Sequence, residues 1–325
     1  MNNFKKIWRA LVCSLLCIGG STALAESWPT KPVRIVFPYS VGGSGDVITR
    51  NLAMRIEAAT NQRVVVENIT GGGTVPAAQS VINSPPDGTK LFFTGSSSMT
   101  VMQHTNSKLA IDPLKDLTPI TFVNTLPHWI VVRPDRKENN LQDLVEYIRK
   151  NPGKASISIN AVGSSTHLML ASWALKNNLD FTIVPYRGSP PAMTDLLAGA
   201  TTAHVDVIGS SIAHVREGRA KALSVLQTTP SEAMPNVPVS PDESKGGLIV
   251  DGRHLLAVKA GTSPAMINDI YKVVEKVTAE PGFVELLNRL GFERSVPNPE
   301  KTKEIVEQES KRYGEIVRVT NIKLN

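Results

Sequence analysis

Cysteine is nearly absent from this sequence of 325 residues, which contains only Cys13 and Cys17. Both lie within the first 25 residues, so the rest of the chain carries no thiol. Disulfide bonds, thiolate metal sites and cysteine nucleophiles are therefore excluded beyond that segment. The chain is long enough for one or two domains with a large apolar core. In the absence of disulfide bonds, burial of that core must stabilise the fold.

Long apolar runs are also missing. The run from Ala10 to Gly20 is too short to span a bilayer, and no later stretch approaches the required length. It follows three basic residues and precedes a small-x-small pattern at 23–25. This order predicts a secretory signal peptide over residues 1–25, cleaved after Ala25, and a protein exported to the periplasm. The bulky leucine before Cys17 disfavours a lipid anchor there.

Clusters of positive charge are absent as well. The formal net charge of +6 falls to about +3 once the three basic residues of the leader are removed, and no acidic residue is lost with them. No run of lysine and arginine with interleaved aromatic residues occurs in the chain. The sequence therefore predicts that nucleic acid is not a partner.

The motifs of common enzymes fail at single positions. Ile48 stands where G-x-G-x-x-G needs its third glycine, Asp46 stands where G-x-S-x-G needs its last glycine, and no G-x-x-x-x-G-K is present. The six histidines show neither H-x-x-x-H nor H-E-x-x-H spacing. His167 near Ser164 suggests a nucleophile and base, but a histidine in the first turn of a helix is more often a donor or a packed residue. We therefore expect no enzyme, no metal site and no cofactor.

What the chain does contain is one α/β pattern that occurs twice. In both copies an apolar strand runs into a Gly/Ser turn, a helix, a second strand, a helix begun by proline and a third strand that ends in Gly-Ser-Ser. The predicted strands are 33–37, 64–66 and 91–94 in the first copy, and 157–159, 181–186, 205–208 and 221–226 in the second.

Alternating strands and helices of this kind favour doubly wound, mostly parallel sheets. Two such copies predict two α/β lobes with a cleft between them. Ligands of these sheets bind beyond the carboxyl ends of the strands, where the four Gly/Ser turns fall. The tail from Pro264 is strongly helical, and we expect it to pack on the first lobe.

Two of the turns have the composition of anion sites. GGSG at 42–45 and GSST at 163–166 each precede a helix, whose first backbone N–H groups are unpaired and lie at the positive end of the helix dipole. We expect Asp46 to order the first turn as an N-cap. A single turn of this type could serve only the tight corner. Two matching turns with two Gly-Ser-Ser strand ends favour binding.

Motifs along nearly the whole chain resemble the Bug family, the periplasmic receptors of tripartite tricarboxylate transporters. They are SWPTKPVRIVFPYSVGGSGD, VVVEN before a Gly-rich turn, SPPDG, VGSSTHL, VPYRGSPPAMTDLLAG, HVDV and IAHVREGRAKALSV. The resemblance implies a two-lobed type II periplasmic-binding-protein fold with a discontinuous first lobe. Residues 26–127 and 250–325 would form lobe 1, and residues 128–249 would form lobe 2.

The resemblance also implies a binding site for one carboxyl end of a ligand. The implied residues are Tyr39, Val41, Gly42, Gly43, Ser44 and Asp46 in the first turn, Ser96 and Ser97 at the floor, and Ser164, Ser165, Thr166, His167 and Asp206 in the second lobe. Val41 replaces the proline that the family usually has in this turn, so the resemblance does not identify the ligand.

The function implied by the resemblance is capture of a small carboxylate and its delivery to a two-component membrane permease. Di- and tricarboxylates, acidic amino acids and aromatic acids or their amides are the expected ligands, and a monomer is the expected form. The alternative is a sensor subunit that uses the same cleft to signal to a membrane kinase. An enzyme ranks third, because no motif supports one.

Overall fold

Ten strands and twelve α-helices are found in the residues that the computed structural model describes, 28–71, 74–106, 108–186 and 188–322. The strands are β1 (Val33–Phe37), β2 (Val64–Asn68), β3 (Lys90–Gly95), β4 (Leu117–Thr125), β5 (His128–Val132), β6 (Ser156–Ile159), β7 (Thr182–Pro185), β8 (Ala203–Val207), β9 (Lys221–Val225) and β10 (Arg253–Lys259). The helices are α1 (Ser44–Thr60), α2 (Val75–Ile82), α3 (Ser97–Thr100), α4 (Met102–Thr105), α5 (Pro113–Asp116), α6 (Leu141–Lys150), α7 (Ser165–Asn177), α8 (Ser189–Ala198), α9 (Ile208–Arg216), α10 (Pro264–Thr278), α11 (Pro281–Arg289) and α12 (Pro299–Thr320). The expected leader and its cleavage site lie outside the described residues.

The strands form two five-stranded sheets with the same topology. Their orders are β2-β1-β3-β10-β4 and β7-β6-β8-β5-β9. In each sheet four strands point the same way, and the antiparallel strand, β10 or β5, occupies the fourth position. The prediction of two α/β lobes with mostly parallel sheets is confirmed. The antiparallel strand of each sheet is an addition that the twofold sequence pattern does not reveal.

The chain crosses between the sheets twice, and the two crossings lie side by side. β5 follows β4 after residues 126–127, and β10 follows β9 after residues 226–252, so each antiparallel strand comes directly from the other sheet. The Leu126 amide donates to the Gly252 carbonyl at 2.7 Å, and the Val250 amide donates to the Leu226 carbonyl at 2.9 Å. The crossings are thus joined by backbone hydrogen bonds at the point where the two lobes meet.

Helices cover both faces of each sheet, as a doubly wound fold requires. In α1, Ile48, Leu52 and Ile56 recur every four residues and are fully buried with α10 and α11 against one face of the first sheet. The helix α2 covers the opposite face. Helices α6 and α7 lie on one face of the second sheet, and α8 and α9 lie on the other. Each such buried Leu or Ile contributes about 1.5–3 kcal/mol.

The last helix, α12, contacts both lobes. Val306 packs with the core on the α2 face of the first sheet, whereas Tyr313, Ile316 and Val317 pack with the core of the second sheet. A helix of 22 residues is about 33 Å long, which allows it to reach both cores. The expectation that the tail packs on the first lobe therefore does not hold for the second half of α12. The lobe boundaries inferred from the sequence stay a prediction.

Most predicted strands differ from the observed ones by one or two residues at an end, and one of these differences matters for the site. The strand predicted over 205–208 is β8, which ends at Val207, and Ile208 begins α9. The Gly-Ser-Ser segment at 209–211 is consequently the first turn of a helix. A β-carbon at Gly209 would lie 2.1 Å from the Leu290 carbonyl oxygen, so this glycine permits a close backbone approach. No helix of the described residues has both the length and the apolar character that a membrane crossing demands.

Candidate functional site

A cavity of about 430 Å³ lies between the strand ends of the two sheets. Six of the site residues expected from the sequence line it: Tyr39, Ser96, Ser97, Ser164, Ser165 and Thr166. The other seven do not line it: Val41, Gly42, Gly43, Ser44, Asp46, His167 and Asp206. The second Gly/Ser turn therefore contributes to the cavity wall directly, whereas the first turn lies outside the wall.

The second turn, residues 162–167, is ordered by its own side chains. Gly163 has a φ of +69°, a conformation that glycine adopts without a steric penalty. Ser164 is the N-cap of α7, and its Oγ accepts from the His167 amide at 3.2 Å. His167 Nδ1 accepts from the Gly163 amide at 3.0 Å. Because Nδ1 is an acceptor here, the imidazole is neutral and carries its proton on Nε2.

The first turn, residues 41–46, has the same construction with a carboxylate in place of the imidazole. Gly42 has a φ of +89°, and its amide donates to Asp46 Oδ2 at 3.0 Å. The N-cap of α1 is Gly43, so the expectation that Asp46 is the N-cap is wrong. Asp46 stands in the first turn of α1 and orders the loop from inside the helix. Asp46 is the third residue of α1, and its side chain reaches back to accept from the Gly42 amide, much as the third residue of a capping box accepts from the N-cap amide.

Asp46 is held in its charged form. It is 2% exposed, and its carboxylate also accepts from Arg50 Nε at 2.9 Å and from Asn68 Nδ2 at 2.9 Å. Burial acts to raise the pKa of Asp46, but the hydrogen bonds from Arg50, the Gly42 amide and Asn68 outweigh burial and bring the pKa below the ordinary 3.8. A permanent negative charge therefore already sits at the N-terminus of α1.

His167 behaves in the opposite way. Its pKa is lowered from the ordinary 6.5 by burial, which disfavours the charged ring. The N-terminus of α7 thus meets a neutral acceptor and leaves its positive dipole end without a fixed anion. The lining of the cavity, as far as the structure describes it, contains Arg253 and no aspartate or glutamate. The electrostatics of this wall favour a ligand with negative charge.

The floor of the cavity is formed where β3 ends. Ser96 and Ser97 follow Gly95, whose missing side chain admits the Tyr39 hydroxyl: a β-carbon at Gly95 would lie 3.0 Å from that oxygen. The Tyr39 ring packs edge-on against Phe37 at 5.1 Å between centroids. The result is a surface of hydroxyl groups, which can donate to carboxylate oxygens.

Asp206 lies behind the cavity wall and is fully buried. Its Oδ1 accepts from Asn160 Nδ2 at 2.7 Å and from the Val207 amide at 2.9 Å, and its Oδ2 accepts from Ser189 Oγ at 2.5 Å. This carboxylate therefore positions Asn160 and Ser189 and does not itself face the cavity.

Several polar residues that line the cavity were not among the predicted site residues, and three of them, His128, Asn160 and Arg253, lie at strand ends. Asn160 directly follows β6, and a polar residue at a strand end was the one signal available for it. His128 and Arg253 begin the two antiparallel strands, so only the crossings between the lobes bring them to the cavity. The sequence pattern contains no sign of those crossings.

The two titratable groups among these residues are shielded from solvent to different degrees, His128 being buried and Arg253 half-buried. His128 is 6% exposed, and burial lowers its pKa to about 4, against the opposing effects of the Asp206 charge and the Leu126 and Val250 carbonyls. Arg253 Nη1 forms an ion pair with Glu309 Oε1 of α12. Burial raises the pKa of Glu309 to about 7, although Arg253 opposes this shift.

Comparison with known proteins places the chain in one family. The model of the "Tripartite tricarboxylate transporter family receptor" matches residues 48–322. Protein BugT of Bordetella pertussis is 28% identical over 301 residues, which cover 92% of this chain and 92% of BugT. The structure of the periplasmic binding protein BugD is 27% identical, with a TM-score of 0.75 over 91% of this chain and 99% of that one. A protein of R. palustris solved with adipate is 23% identical and has the same fold, with a TM-score of 0.80 over 91% of this chain and 99% of that one.

These likenesses confirm the resemblance drawn from the sequence motifs and the two-lobed periplasmic-binding-protein fold. The cavity at the strand ends of both lobes is the place where such a fold binds its ligand. The chain belongs to the tripartite tricarboxylate transporter receptor family.

Proposed function

We propose that the protein is a periplasmic receptor that captures a small carboxylate and delivers it to a tripartite tricarboxylate-type transporter. The observation that carries this proposal is the α7 N-terminus at the cavity wall. Ser164, Ser165 and Thr166 line the cavity there, beside a neutral His167. Free helix N–H groups, serine hydroxyls and Arg253 together suit one carboxylate end of a ligand.

The opposite side of the cavity suits the same group. Ser96, Ser97 and the Tyr39 hydroxyl can donate to the second oxygen of the carboxylate or to water between it and the protein. The first turn then acts as a rigid edge beside the site, since Gly43 and Ser44 lie outside the cavity wall and Asp46 holds the loop. A volume of about 430 Å³ fits a small di- or tricarboxylate, an acidic amino acid or an aromatic acid or amide.

The likeness to a protein that was solved with adipate supports a dicarboxylate among the candidates. The remaining parts of the proposal follow the sequence analysis. Residues 1–25 are a signal peptide that is removed after Ala25, residues 26–127 and 250–325 form one lobe, and residues 128–249 form the other. The protein works as a monomer, with a two-component permease as its partner, and releases its ligand unchanged.

A thermal-shift screen of carboxylates and their amides, followed by calorimetric titration of each hit, tests the proposal. Ligand at a hundred times its Kd stabilises the native state by about 2.7 kcal/mol, which gives a clear rise in Tm. Chemical analysis of the ligand after prolonged incubation tests the absence of turnover. A screen in which no carboxylate raises Tm, or a ligand that is converted to product, would overturn the proposal.

Uptake of the hit compound in cells tests delivery separately from binding. Deletion of the protein should abolish uptake of that compound by its permease, and the wild-type gene should restore it. Unchanged uptake in the deletion strain, with a changed transcriptional response to the compound, would favour a sensor over a transport receptor.

A further inference from the structure

The described lining of the cavity contains one charged residue, and the counter-ion of that residue comes from α12. Arg253 lines the cavity at the start of β10, and its guanidinium carbon lies 5.3 Å from the centre of the Phe122 ring. The Glu309 carboxylate, in the middle of α12, forms an ion pair with this guanidinium. The side chains of Arg253 and Glu309 are only 22% and 11% exposed, so water screens the pair weakly. A negative charge that enters the cavity beside Arg253 therefore also acts on Glu309.

The charge of Glu309 depends on its surroundings, whereas Arg253 stays protonated. Burial raises the pKa of Glu309 to about 7, the positive charges of Arg253 and Arg312 oppose this shift, and the negative charge of Asp251 adds to it. Near pH 7 the free protein is therefore divided between a charged and a neutral Glu309. A small change in the local charge is enough to move this balance.

The other titratable rings near Glu309 and in the site keep one charge state between pH 7 and 9. Burial raises the pKa of Tyr313 above the ordinary 10 and lowers the pKa of His104, which contacts the neighbouring Ser310 of α12, below the ordinary 6.5. The pKa values of His128 and His167 are also lowered by burial. The charged and titratable groups that face Glu309 are Arg253 of β10, Asp251 of the second crossing, Arg312 and Tyr313 of α12, and His104 of α4.

We propose that Glu309 takes up a proton when a carboxylate binds in the cavity, so that ligand capture is coupled to protonation of this residue. This inference rests on the proposed function. The ligand anion shares the positive charge of Arg253 and thereby weakens the stabilisation of the Glu309 anion. Solvent supplies the proton, one O–H bond forms on the Glu309 carboxylate, and Arg253 keeps its charge. Glu309 does not line the cavity, so it is a positioning residue that acts through Arg253.

The affinity for a carboxylate should fall as the pH rises, because the complex then binds more protons than the free protein. A ligand anion that raises the proton affinity of Glu309 about tenfold would give an uptake of about half a proton per ligand at pH 7.5. The same change predicts that the affinity falls about fivefold between pH 7 and pH 9.

Calorimetric titration of the purified protein in HEPES and in Tris buffer at pH 7.5 measures the uptake, because the two buffers differ in their heat of ionisation. Succinate, glutarate and adipate are the probes, together with any carboxylate that the thermal-shift screen identifies. The carboxyl groups of the three probes stay ionised from pH 7 to 9, so they contribute no protons. The affinity of each probe that binds is then measured at pH 7, 8 and 9.

Glu309→Gln keeps the side-chain shape and an oxygen that can accept from Arg253, but it cannot take up a proton. This variant should show no proton uptake, and at pH 9 it should bind the probe about fivefold more tightly than the wild type, because it resembles the neutral form. Loss of structure alone would not produce tighter binding. Glu304→Gln is the matched control: it makes the same change on α12 at a half-exposed residue paired with Lys301, and it should leave both readouts unchanged.

Arg253→Met tests the coupling should Glu309→Gln fail to fold. Without the opposing charge of Arg253, burial should keep Glu309 neutral in the free protein at pH 7.5. The uptake of protons should then be lost, while the affinity for the probe also decreases.

The outcomes separate this inference from the proposed function. Binding of a probe by the wild type with the same enthalpy in both buffers would overturn the coupling, and so would an affinity that does not fall with rising pH. Uptake of the same size in the wild type and in Glu309→Gln or Arg253→Met would overturn it as well. Absence of binding by every probe, together with a negative thermal-shift screen, would instead count against the carboxylate receptor itself.

Discussion

The turns at 41–46 and 162–167 have the same backbone and different chemistry. The N-cap residues have φ and ψ of −73° and 165° at Gly43, and −74° and 165° at Ser164. In each turn a glycine with positive φ donates its amide to a side chain four residues later, at 3.0 Å in both cases. The acceptor is a buried carboxylate in Asp46 and a neutral imidazole in His167.

That difference decides which helix end is available to an anion. The Asp46 charge occupies the dipole end of α1 and is paired with Arg50, whereas α7 has no fixed anion in its first turn. The second turn also lines the cavity, and the first does not. Two turns of equal geometry can thus have different roles: the turn at 41–46 is a rigid edge, and the turn at 162–167 is suited to bind an anion.

The largest effect should come from adding bulk at the two N-caps. Both positions have a negative φ that valine can adopt, so Ser164→Val and Gly43→Val test ligand access more than backbone strain. Ser164→Val should weaken binding at least about a hundredfold, because it displaces the carboxylate from two donors worth roughly 1.5–3 kcal/mol each. Gly43→Val should cost about tenfold or less. Calorimetry with the best hit measures both, and equal losses would mean that the two turns hold the ligand alike.

Removal of the two acceptors, Asp46 and His167, should lower the free energy of unfolding by different amounts. Asp46→Ala leaves the Gly42 amide, Arg50 and Asn68 without their partner, and we expect a loss of about 3 kcal/mol in the free energy of unfolding. His167→Ala removes the partner of one amide and should cost about 1 kcal/mol. Urea denaturation of the ligand-free proteins gives both values. Similar losses would show that the charge of Asp46 adds nothing to its turn.

Replacement of His167 by aspartate should give the second turn the negative charge that the first turn has. His167→Asp can still accept from the Gly163 amide, so the fold should be kept, but its charge would face the ligand carboxylate across the α7 N-terminus. We expect affinity to fall about tenfold, with a smaller loss at high salt. Titrations at two ionic strengths check this, with His167→Asn as the uncharged control. A charged variant that binds as well as His167→Asn would contradict the electrostatic account.

As the pH falls, the side-chain hydrogen bond of the second turn should be lost before that of the first. The pKa of His167 is lowered, so its bond to Gly163 is fully present above the ordinary 6.5 and is lost as pH falls through the folded-state pKa. The pKa of Asp46 is also lowered, so its bond to Gly42 is present above the ordinary 3.8 and is lost only below that value. Amide NMR shifts followed from pH 7 to 4 should move for Gly163 while Gly42 stays unchanged. Parallel movement of both amides would refute the difference.

Local pattern was enough to predict much of the molecule. The apolar run at 33–37, the glycines after it and the four-residue spacing of Ile48, Leu52 and Ile56 together define a strand, a turn and a helix without distant contacts. The same holds for 157–177 in the second lobe. Five site residues that these turns and strand ends suggested, Ser96, Ser97, Ser164, Ser165 and Thr166, do line the cavity, because the carboxyl ends of parallel strands share one edge of a sheet. The sixth, Tyr39, came only from the family resemblance.

Tertiary structure decided what depends on the path between the lobes. The strands β5 and β10 insert antiparallel into sheets built by other parts of the chain, and they carry His128 and Arg253 to the cavity. The helix α12 reaches a second core because of its length, and no periodicity encodes which cores it joins. Sequence by itself determined the two lobes and their matching turns, which rest on contacts within a few residues. Only the fold placed His128 and Asn160 in the wall of one cavity, because their neighbours there are set by packing across more than thirty positions of sequence.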